Sequence, residues 1–140
     1  RMPVTLLSSI YAIINTVELM TENKTIFAKM VDGEIPTTPL YEDEHCIVIN
    51  DISPQAPTHV LIIPKVKNLP RLSDANESHQ ALLGHLLLVA GQISKQLGVS
   101  EAFRLIINNG KDAGQTVFHL HLHILAGQSF KEGALGNGFE

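Results

Sequence analysis

Apolar and histidine side chains alternate from position 118 to position 124, in a run that reads Phe-His-Leu-His-Leu-His-Ile-Leu over 118–125. In an extended strand, successive side chains point to opposite faces, so residues two apart share a face. We therefore predict a strand over 118–126 that carries His119, His121 and His123 on one face. The intervening apolar residues, Phe118 included, are predicted to enter a core on the other face. A helix does not produce this two-residue period, so the chain is expected to contain a sheet with one chemically distinctive face.

The rest of the chain predicts short strands around two helices. A short helix is predicted at 26–31. A long helix is predicted from Ser73 or Asp74 to about Leu97, where Gly98 ends an apolar stripe spaced for one helix face. Runs of β-branched and other apolar residues predict further strands at 40–42, 46–50, 59–64 and 103–108. This order of elements indicates an α+β domain with an antiparallel sheet.

The first twenty residues differ in pattern from the rest of the chain. Their apolar residues recur at three- and four-residue steps, as on one face of a helix, but the segment is too short and too polar to span a membrane. A signal peptide is not favoured, because polar residues interrupt the apolar run and no small-residue cleavage site comes after it. We therefore divide the chain into an amphipathic extension over 1–20, derived from an upstream start codon or added sequence, and a domain over 21–140.

Length and charge restrict the partners of the chain. Its 140 residues fit one domain, and a net charge of −4 gives no general attraction to nucleic acid or to an anionic membrane. Neither is therefore expected as a partner, and local dipoles and hydrogen bonds would have to hold any phosphate-bearing ligand. Cys46 is the single cysteine, which excludes an internal disulfide and suits a reducing compartment, so we expect a cytoplasmic protein.

Three hypotheses account for the histidine face. The first is a half-exposed strand whose polar side happens to be histidine. The second is a zinc or copper site, since imidazole binds both ions, although a structural site usually needs a fourth ligand that neither Cys46 nor the nearest acidic residues are placed to supply. The third is catalysis, because neutral imidazole is a good nucleophile and proton carrier near neutral pH.

A glycine-containing loop directly before the histidines favours catalysis on a phosphate. Residues 108–116 read Asn-Asn-Gly-Lys-Asp-Ala-Gly-Gln-Thr, and successive backbone amides in such a loop can form an anion site. The Thr116 hydroxyl and the Asn108 amide can donate hydrogen bonds to phosphate oxygens. Together, loop and histidines indicate attack of an imidazole on phosphorus.

Several motifs resemble those of one known family. The run of histidines at 119, 121 and 123 with apolar neighbours, ending at Leu125, resembles the defining motif of the histidine triad (HIT) superfamily of nucleotide hydrolases and transferases. The segments at 26–29, 34–36, 51–59, 83–86 and 114–116 resemble those of its Hint branch, in the same order. The resemblance extends from about Thr25 to Gly127.

The resemblance implies a role for each histidine of the site. His121 would be the nucleophile, and His123 would bind the α-phosphate. His119 would position the nucleophile and handle the protons of the leaving group, while His59 would orient the triad. The remaining histidines, His45, His79 and His85, have no implied role, and we interpret them as surface or structural residues.

The resemblance also implies a nucleotide pocket. Thr116 would contact the phosphate and the leaving group, and Asp51 would accept hydrogen bonds from the ribose hydroxyls. The residues expected to complete the phosphate site are Asn108, Gly114 and Gln115, and those expected to form the apolar slot for the purine are Ile35, Ile49 and Ile52. Many Hint relatives carry a histidine in place of Asn50, and the glycine-rich tail over 128–140 departs from the family pattern, so base contacts and substrate preference are expected to differ.

The fold and activity implied are those of a purine nucleoside phosphoramidase. Members of this branch have a five-stranded antiparallel sheet with two helices and pair into a homodimer with a ten-stranded sheet. They cleave the P–N bond of adenosine or guanosine 5′-phosphoramidates through a nucleotidyl-histidine, with neither metal nor other cofactor. The expected ligands are purine nucleoside monophosphate derivatives, aminoacyl-adenylates among them. Alternatives are a dinucleoside polyphosphate hydrolase, a nucleotide-binding regulatory protein with vestigial turnover, and a metal-binding module.

Overall fold

The computed structural model describes residues 24–135. The extension predicted over 1–20 and the last five residues of the tail lie outside this range. No helix within the described residues combines the length and apolar character needed to cross a membrane.

Five strands and two helices form the framework of the described chain. The helices are α1 (Ile26–Val31) and α2 (Gln80–Gln96), and the strands are β1 (Tyr41–Glu42), β2 (Cys46–Asn50), β3 (Thr58–Pro64), β4 (Phe103–Ile106) and β5 (Leu122–Ala126). The strands pair in the order β1-β2-β3-β5-β4, and every neighbouring pair is antiparallel. The predicted α+β class, the five-stranded antiparallel sheet and the two helices are confirmed.

The two faces of the sheet carry separate apolar clusters. On one face, buried residues of β2, β3 and β5 pack against Leu86, Val89 and Ile93 of α2. On the other face, Phe27 of α1 packs in a second cluster of buried residues with Ile47, Leu61 and Ile63. Burying both faces stabilises the sheet through the hydrophobic effect. Because the side chains of β2 and β3 alternate between the clusters, each of these strands contributes to the core on both faces.

The register of β3 and β5 brings two of the histidines together. His59 lies opposite Leu125, and Leu61 lies opposite His123. Residues diagonal to one another on neighbouring strands share a face and remain within reach of long side chains. His59 and His123 therefore meet on the face that carries Phe27.

The last strand is shorter than predicted. It begins at Leu122 rather than at 118, because its partner β3 ends at Pro64, which has no N–H to continue the ladder. The preceding segment turns to residue 69 instead, and the Leu120 amide donates to the Leu69 carbonyl at 2.9 Å. The core prediction holds for Leu120, Leu122 and Ile124 but is wrong for Phe118, which is 50% exposed.

The long helix begins later than predicted, at Gln80 instead of Ser73 or Asp74. Two separate 3₁₀ turns, Leu72–Asp74 and Glu77–His79, occupy the intervening chain. The Asn76 side chain accepts from the Ser78 amide, and the His79 ring accepts from the Asn76 amide, so local side-chain bonds compete with helix formation. Strand β4 likewise ends at Ile106 and not at 108.

Candidate active site

Four imidazoles lie together beneath the surface of one sheet face. His59 belongs to β3 and His123 to β5, whereas His119 and His121 lie in the irregular segment just before β5. Their exposed fractions are between 4% and 8%. Each imidazole has a hydrogen-bond partner that reveals which ring nitrogen carries the proton.

The ring of His121 is held by its own backbone neighbourhood. Its Nδ1 lies 2.7 Å from the His119 carbonyl oxygen, which can only accept, so Nδ1 carries the proton. In the neutral ring this leaves a lone pair on Nε2. The Phe27 ring packs edge-on against the imidazole, with centroids 4.8 Å apart, and limits its rotation. His121 therefore presents an unprotonated, oriented nitrogen.

A chain of hydrogen bonds runs from the loop after β2 through His59 to His123. The Gln55 amide donates to His59 Nδ1 at 3.0 Å, which places the His59 proton on Nε2. That nitrogen lies 2.9 Å from His123 Nδ1 and 3.3 Å from Asp51 Oδ2. His123 Nδ1 therefore accepts, and its own proton resides on Nε2. His123 can thus donate a hydrogen bond to an anionic ligand while Asp51 supports His59.

His119 has the opposite orientation to His121. Its Nε2 donates to the Pro64 carbonyl at 2.9 Å, and its ring lies 6.5 Å from that of Phe27, measured between centroids. The backbone carbonyl of His119 is the group that orients His121. His119 is thereby tied both to the end of β3 and to the second histidine of the triad.

Burial keeps the imidazoles neutral. It lowers the pKa of His59, His119 and His121. It also lowers the pKa of His123 to about 3, and electrostatic repulsion from His121 and His59 against a protonated His123 acts in the same direction. The neutral form is the one that can act as a nucleophile. The site is consequently ready for nucleophilic chemistry at neutral pH without a separate base.

A small cavity opens beside His123. Its volume is about 190 Å³. Six residues predicted from the sequence line it, namely Asp51, His59, Asn108, Gly114, Thr116 and His123. Gly114 has φ +94°, so the loop depends on a left-handed residue at that position, next to the Asn108 side chain. The glycine loop therefore lies beside His59 and His123 at this cavity, whereas His119 and His121 are not among its lining residues.

Other predicted residues lie apart from this cavity. Gln115 is buried, with its side chain accepting from the Gly110 amide and donating to the carbonyls of Pro70 and Val117. It holds the loop in place through these bonds. Ile49 packs at the edge of the Phe27 cluster, Ile35 is half-buried, and Ile52 is 98% exposed.

Three residues of the site were not predicted from the sequence. Ser53 and Gln55 line the cavity, and the Gln55 amide sets the tautomer of His59. Phe27 supports His121 from α1. Phe27 had one available signal, as an aromatic residue in an otherwise aromatic-poor chain. For Ser53 and Gln55 the available signal was their place in the family-like segment 51–59, although the role of Gln55 depends on its backbone N–H rather than its side chain.

A second cavity, of about 530 Å³, lies between α1 and residues 66–70. His119 is the only predicted site residue that lines it. Its main charges are largely paired, since Lys24 contacts Asp32 at 2.8 Å as well as Glu34. The smaller cavity is the candidate site, because the hydrogen-bonded pair His59 and His123 and the glycine loop all line it.

Within residues 24–135, two groups could hold a metal ion. In the first, ligand atoms of Asp51, His59 and His123 lie within 4.8 Å of one another at the cavity just described. The second comprises Asp43, Cys46 and His85, at the opposite end of β2.

Known proteins with this pattern share the fold and the motif. The HIT domain model matches residues 32–130. A HIT-like protein of Synechocystis is 57% identical over 106 residues, covering 76% of this chain and 92% of its own length. The maize protein named "14 kDa zinc-binding protein" is 48% identical over 108 residues, with coverage of 76% and 84%.

Solved structures of HIT proteins have a fold similar to that of this chain. A HIT family hydrolase from Legionella pneumophila superposes with a TM-score of 0.72 at 41% identity, covering 76% of this chain and 96% of that one. A histidine triad nucleotide-binding protein from Candida albicans gives 0.65 at 28% identity, with coverage of 81% and 90%. Sequence, fold and histidine arrangement thus lead to one assignment: this chain belongs to the HIT domain family.

Proposed function

We propose that this protein hydrolyses the P–N bond of adenosine or guanosine 5′-phosphoramidates through a nucleotidyl-histidine on His121. One observation carries the proposal. The bond from His121 Nδ1 to the His119 carbonyl leaves the Nε2 lone pair available, while His123 carries a proton on its Nε2 at a neighbouring position. A nucleophile beside an anion-binding donor is what attack on a phosphorus centre needs.

The reaction has two displacement steps. His121 Nε2 attacks the α-phosphorus, and the P–N bond to the leaving group breaks with its electron pair moving to nitrogen, which takes up a proton and departs as an amine. Water then attacks the same phosphorus, the bond to His121 breaks, and a nucleoside monophosphate is released. His123 stabilises the negative charge on the phosphate oxygens, and His119 serves the proton transfers of the leaving group.

Binding of the nucleoside is assigned to the loop after β2 and to apolar residues near α1. Asp51 Oδ1 accepts from the Ser53 amide at 2.8 Å, which fixes the carboxylate at the rim of the cavity where it can accept from ribose hydroxyls. Ile35, Ile49 and Ile52 would form the slot for the purine. A base that covers the 98% exposed Ile52 would gain hydrophobic stabilisation.

The names of the relatives support the general class. The Legionella relative is described as a hydrolase and the Candida relative as nucleotide-binding. Both descriptions agree with a site that combines a phosphate loop and a nucleophile. The choice of a phosphoramidate over a dinucleoside polyphosphate rests on the resemblance to the Hint branch.

The test compares His121→Asn with His79→Gln, a histidine variant outside the cavity. We expect turnover of adenosine 5′-phosphoromorpholidate to fall about 10⁴-fold or more in His121→Asn, because the covalent nucleophile is lost, and to stay unchanged in His79→Gln. Diadenosine triphosphate and tetraphosphate are assayed in parallel and should turn over more slowly. Mass spectrometry of acid-quenched wild-type enzyme should find an AMP adduct on His121. An adduct on another residue would overturn the assignment.

Zinc binding at the same cavity is a second candidate function. Asp51, His59 and His123 supply three possible ligands within 4.8 Å, and the maize relative is named as a zinc-binding protein. Elemental analysis of untagged protein and turnover in the presence of EDTA discriminate the two. Stoichiometric zinc with loss of turnover in EDTA would favour the metal, whereas full turnover in EDTA would favour histidine chemistry alone.

A further inference from the structure

The turn between β1 and β2 brings three different metal-binding side chains against helix α2. Asp43 and Cys46 come from the turn and the start of β2, and His85 projects from the helix. A carboxylate oxygen, the thiol sulfur and an imidazole nitrogen of these residues all lie within 4.8 Å of one another. The three lie at the opposite end of β2 from Asp51, so they are separate from the nucleotide site.

The Asp43 carboxylate is already oriented. Its Oδ1 accepts from the amides of His45 and Cys46 at 2.7 and 2.9 Å. Its Oδ2 lies 2.6 Å from His85 Nε2 and accepts from the Tyr41 hydroxyl at 2.8 Å. Ligating carboxylates in metal sites are typically held by outer hydrogen bonds of this kind. Oδ2 is therefore the oxygen available for an ion.

Cys46 and His85 form the base and the rim of the cluster. Cys46 is the only cysteine in the sequence and is fully buried, whereas the side chains of His85 and Asp43 are 32% and 21% exposed. An ion could thus enter from solvent between imidazole and carboxylate and meet the sulfur below. The buried thiol lies next to the Asp43 carboxylate, so a cation that binds there would contact both the sulfur and a negatively charged oxygen.

His45 is a candidate for the fourth ligand, because its ring contacts that of His85. The exposed ring of His45 packs edge-on to that of His85, with centroids 5.0 Å apart. Two imidazoles that share a tetrahedral ion, each at a Zn–N distance of about 2.0–2.1 Å, have a centroid separation of about 5 Å. Rotation of the exposed side chain could therefore bring His45 to the ion.

From these contacts we propose that Asp43, Cys46 and His85 form a structural zinc site, with His45 or a water molecule as the fourth ligand. Thiolate together with imidazole selects zinc over magnesium or calcium, which prefer oxygen ligands. On binding, Zn²⁺ replaces the thiol proton of Cys46, which is released to solvent, while the proton of the neutral His85 ring moves from Nε2 to Nδ1 so that Nε2 can bind the ion. The Oδ2 and Nε2 atoms must move slightly apart to admit the ion. The bound ion joins the β1–β2 turn to α2 and stabilises the folded state.

The experiment titrates untagged, metal-stripped protein with Co²⁺ and then with Zn²⁺. We expect one cobalt ion to bind with tetrahedral visible absorption and a thiolate-to-cobalt charge-transfer band in the near ultraviolet, and zinc to displace it. Cys46→Ser should abolish the charge-transfer band, and His85→Gln should weaken cobalt binding at least tenfold. His123→Asn, which alters the other possible metal group, should leave the band unchanged.

The readout is independent of the proposed hydrolase activity. A circular dichroism spectrum like that of the wild type would show that Cys46→Ser is folded, and His85→Gln, which keeps the cysteine, gives a second reading if it is not. Absence of a charge-transfer band in wild type, cobalt binding that is unaffected by both substitutions, or binding that depends on His123 would each overturn the proposal.

Discussion

Burial of four neutral imidazoles gives the protein a specific dependence on acid. In the unfolded chain each histidine takes up a proton as the pH falls below about 6.5. In the folded chain burial lowers the pKa of His59, His119 and His121, and that of His123 to about 3. The unfolded state therefore binds more protons than the folded state in this window, so stability is complete above pH 6.5 and is lost as the pH falls towards 3.

We predict that the free energy of unfolding decreases as the pH falls from 7 to 5. In this range the histidines contribute more to the pH dependence than the carboxyl groups, which titrate mostly at lower pH. Each histidine that stays neutral only in the folded state adds a slope of up to about 1.4 kcal/mol per pH unit. Urea unfolding at several pH values measures it. Towards pH 5, His123→Asn should reduce the slope by close to 1.4 kcal/mol per pH unit, the contribution of about one proton. An unchanged slope in His123→Asn would show that this ring does not remain neutral in the folded protein.

At the scale of elements, local patterns predicted the framework well and the ends of elements poorly. Helix Ile26–Val31 and strand Cys46–Asn50 occur with the predicted bounds, because a threonine cap and an apolar run determine them locally. The start of β5 was wrong because it depends on Pro64 in a distant partner strand.

In the candidate site too, some features could be predicted from local sequence and others depend on tertiary folding. The histidines and the glycine loop were visible as residue types at a given spacing, and the structure places the loop beside His59 and His123. The protonation pattern was not visible. It depends on the Gln55 amide and the Pro64 carbonyl, backbone groups whose approach to the imidazoles is decided by tertiary folding. Residue types can thus indicate the chemistry of such a site, whereas its orientation requires coordinates.

The chain packs tightly at the end of β5, where Gly127 lies against Pro57. Gly127 has φ +91°, and a Cβ at that position would lie 2.9 Å from Pro57 Cβ, just before β3. Gly33 has a similar φ of +80° with no atom within 4 Å of an added Cβ. The two glycines therefore share the same backbone constraint but differ in steric contact.

We expect Gly33→Ala to lower the free energy of unfolding by about 1–2 kcal/mol, the usual cost of a left-handed alanine. Gly127→Ala should lower it by about 1–3 kcal/mol more, because the methyl group must displace the chain at Pro57. Chemical denaturation of both variants measures the difference. Equal losses would indicate that the Pro57 segment yields without cost.

Within residues 24–135, α2 carries an exposed apolar stripe and β4 forms one edge of the sheet. Leu87 and Leu88 are 56% and 68% exposed, and the neighbouring Gly84 and Gly91 have no atom within 4 Å of an added Cβ. Strand β4 lies at the end of the described sheet and pairs with β5 alone. A partner that covers both features would bury apolar surface and satisfy free backbone groups at once.

A second copy of the chain is the partner that the family resemblance implies, with two β4 edges joined into a ten-stranded sheet. We predict that the wild-type protein elutes as a dimer in size-exclusion chromatography with light scattering. Leu88→Lys should shift it to the monomer, because the interface would have to bury a charge without a partner. Glu101→Gln changes the net charge by the same amount at an exposed site beyond α2 and should remain dimeric. A monomeric wild type, or a dimeric Leu88→Lys, would place the contact between copies elsewhere or exclude it.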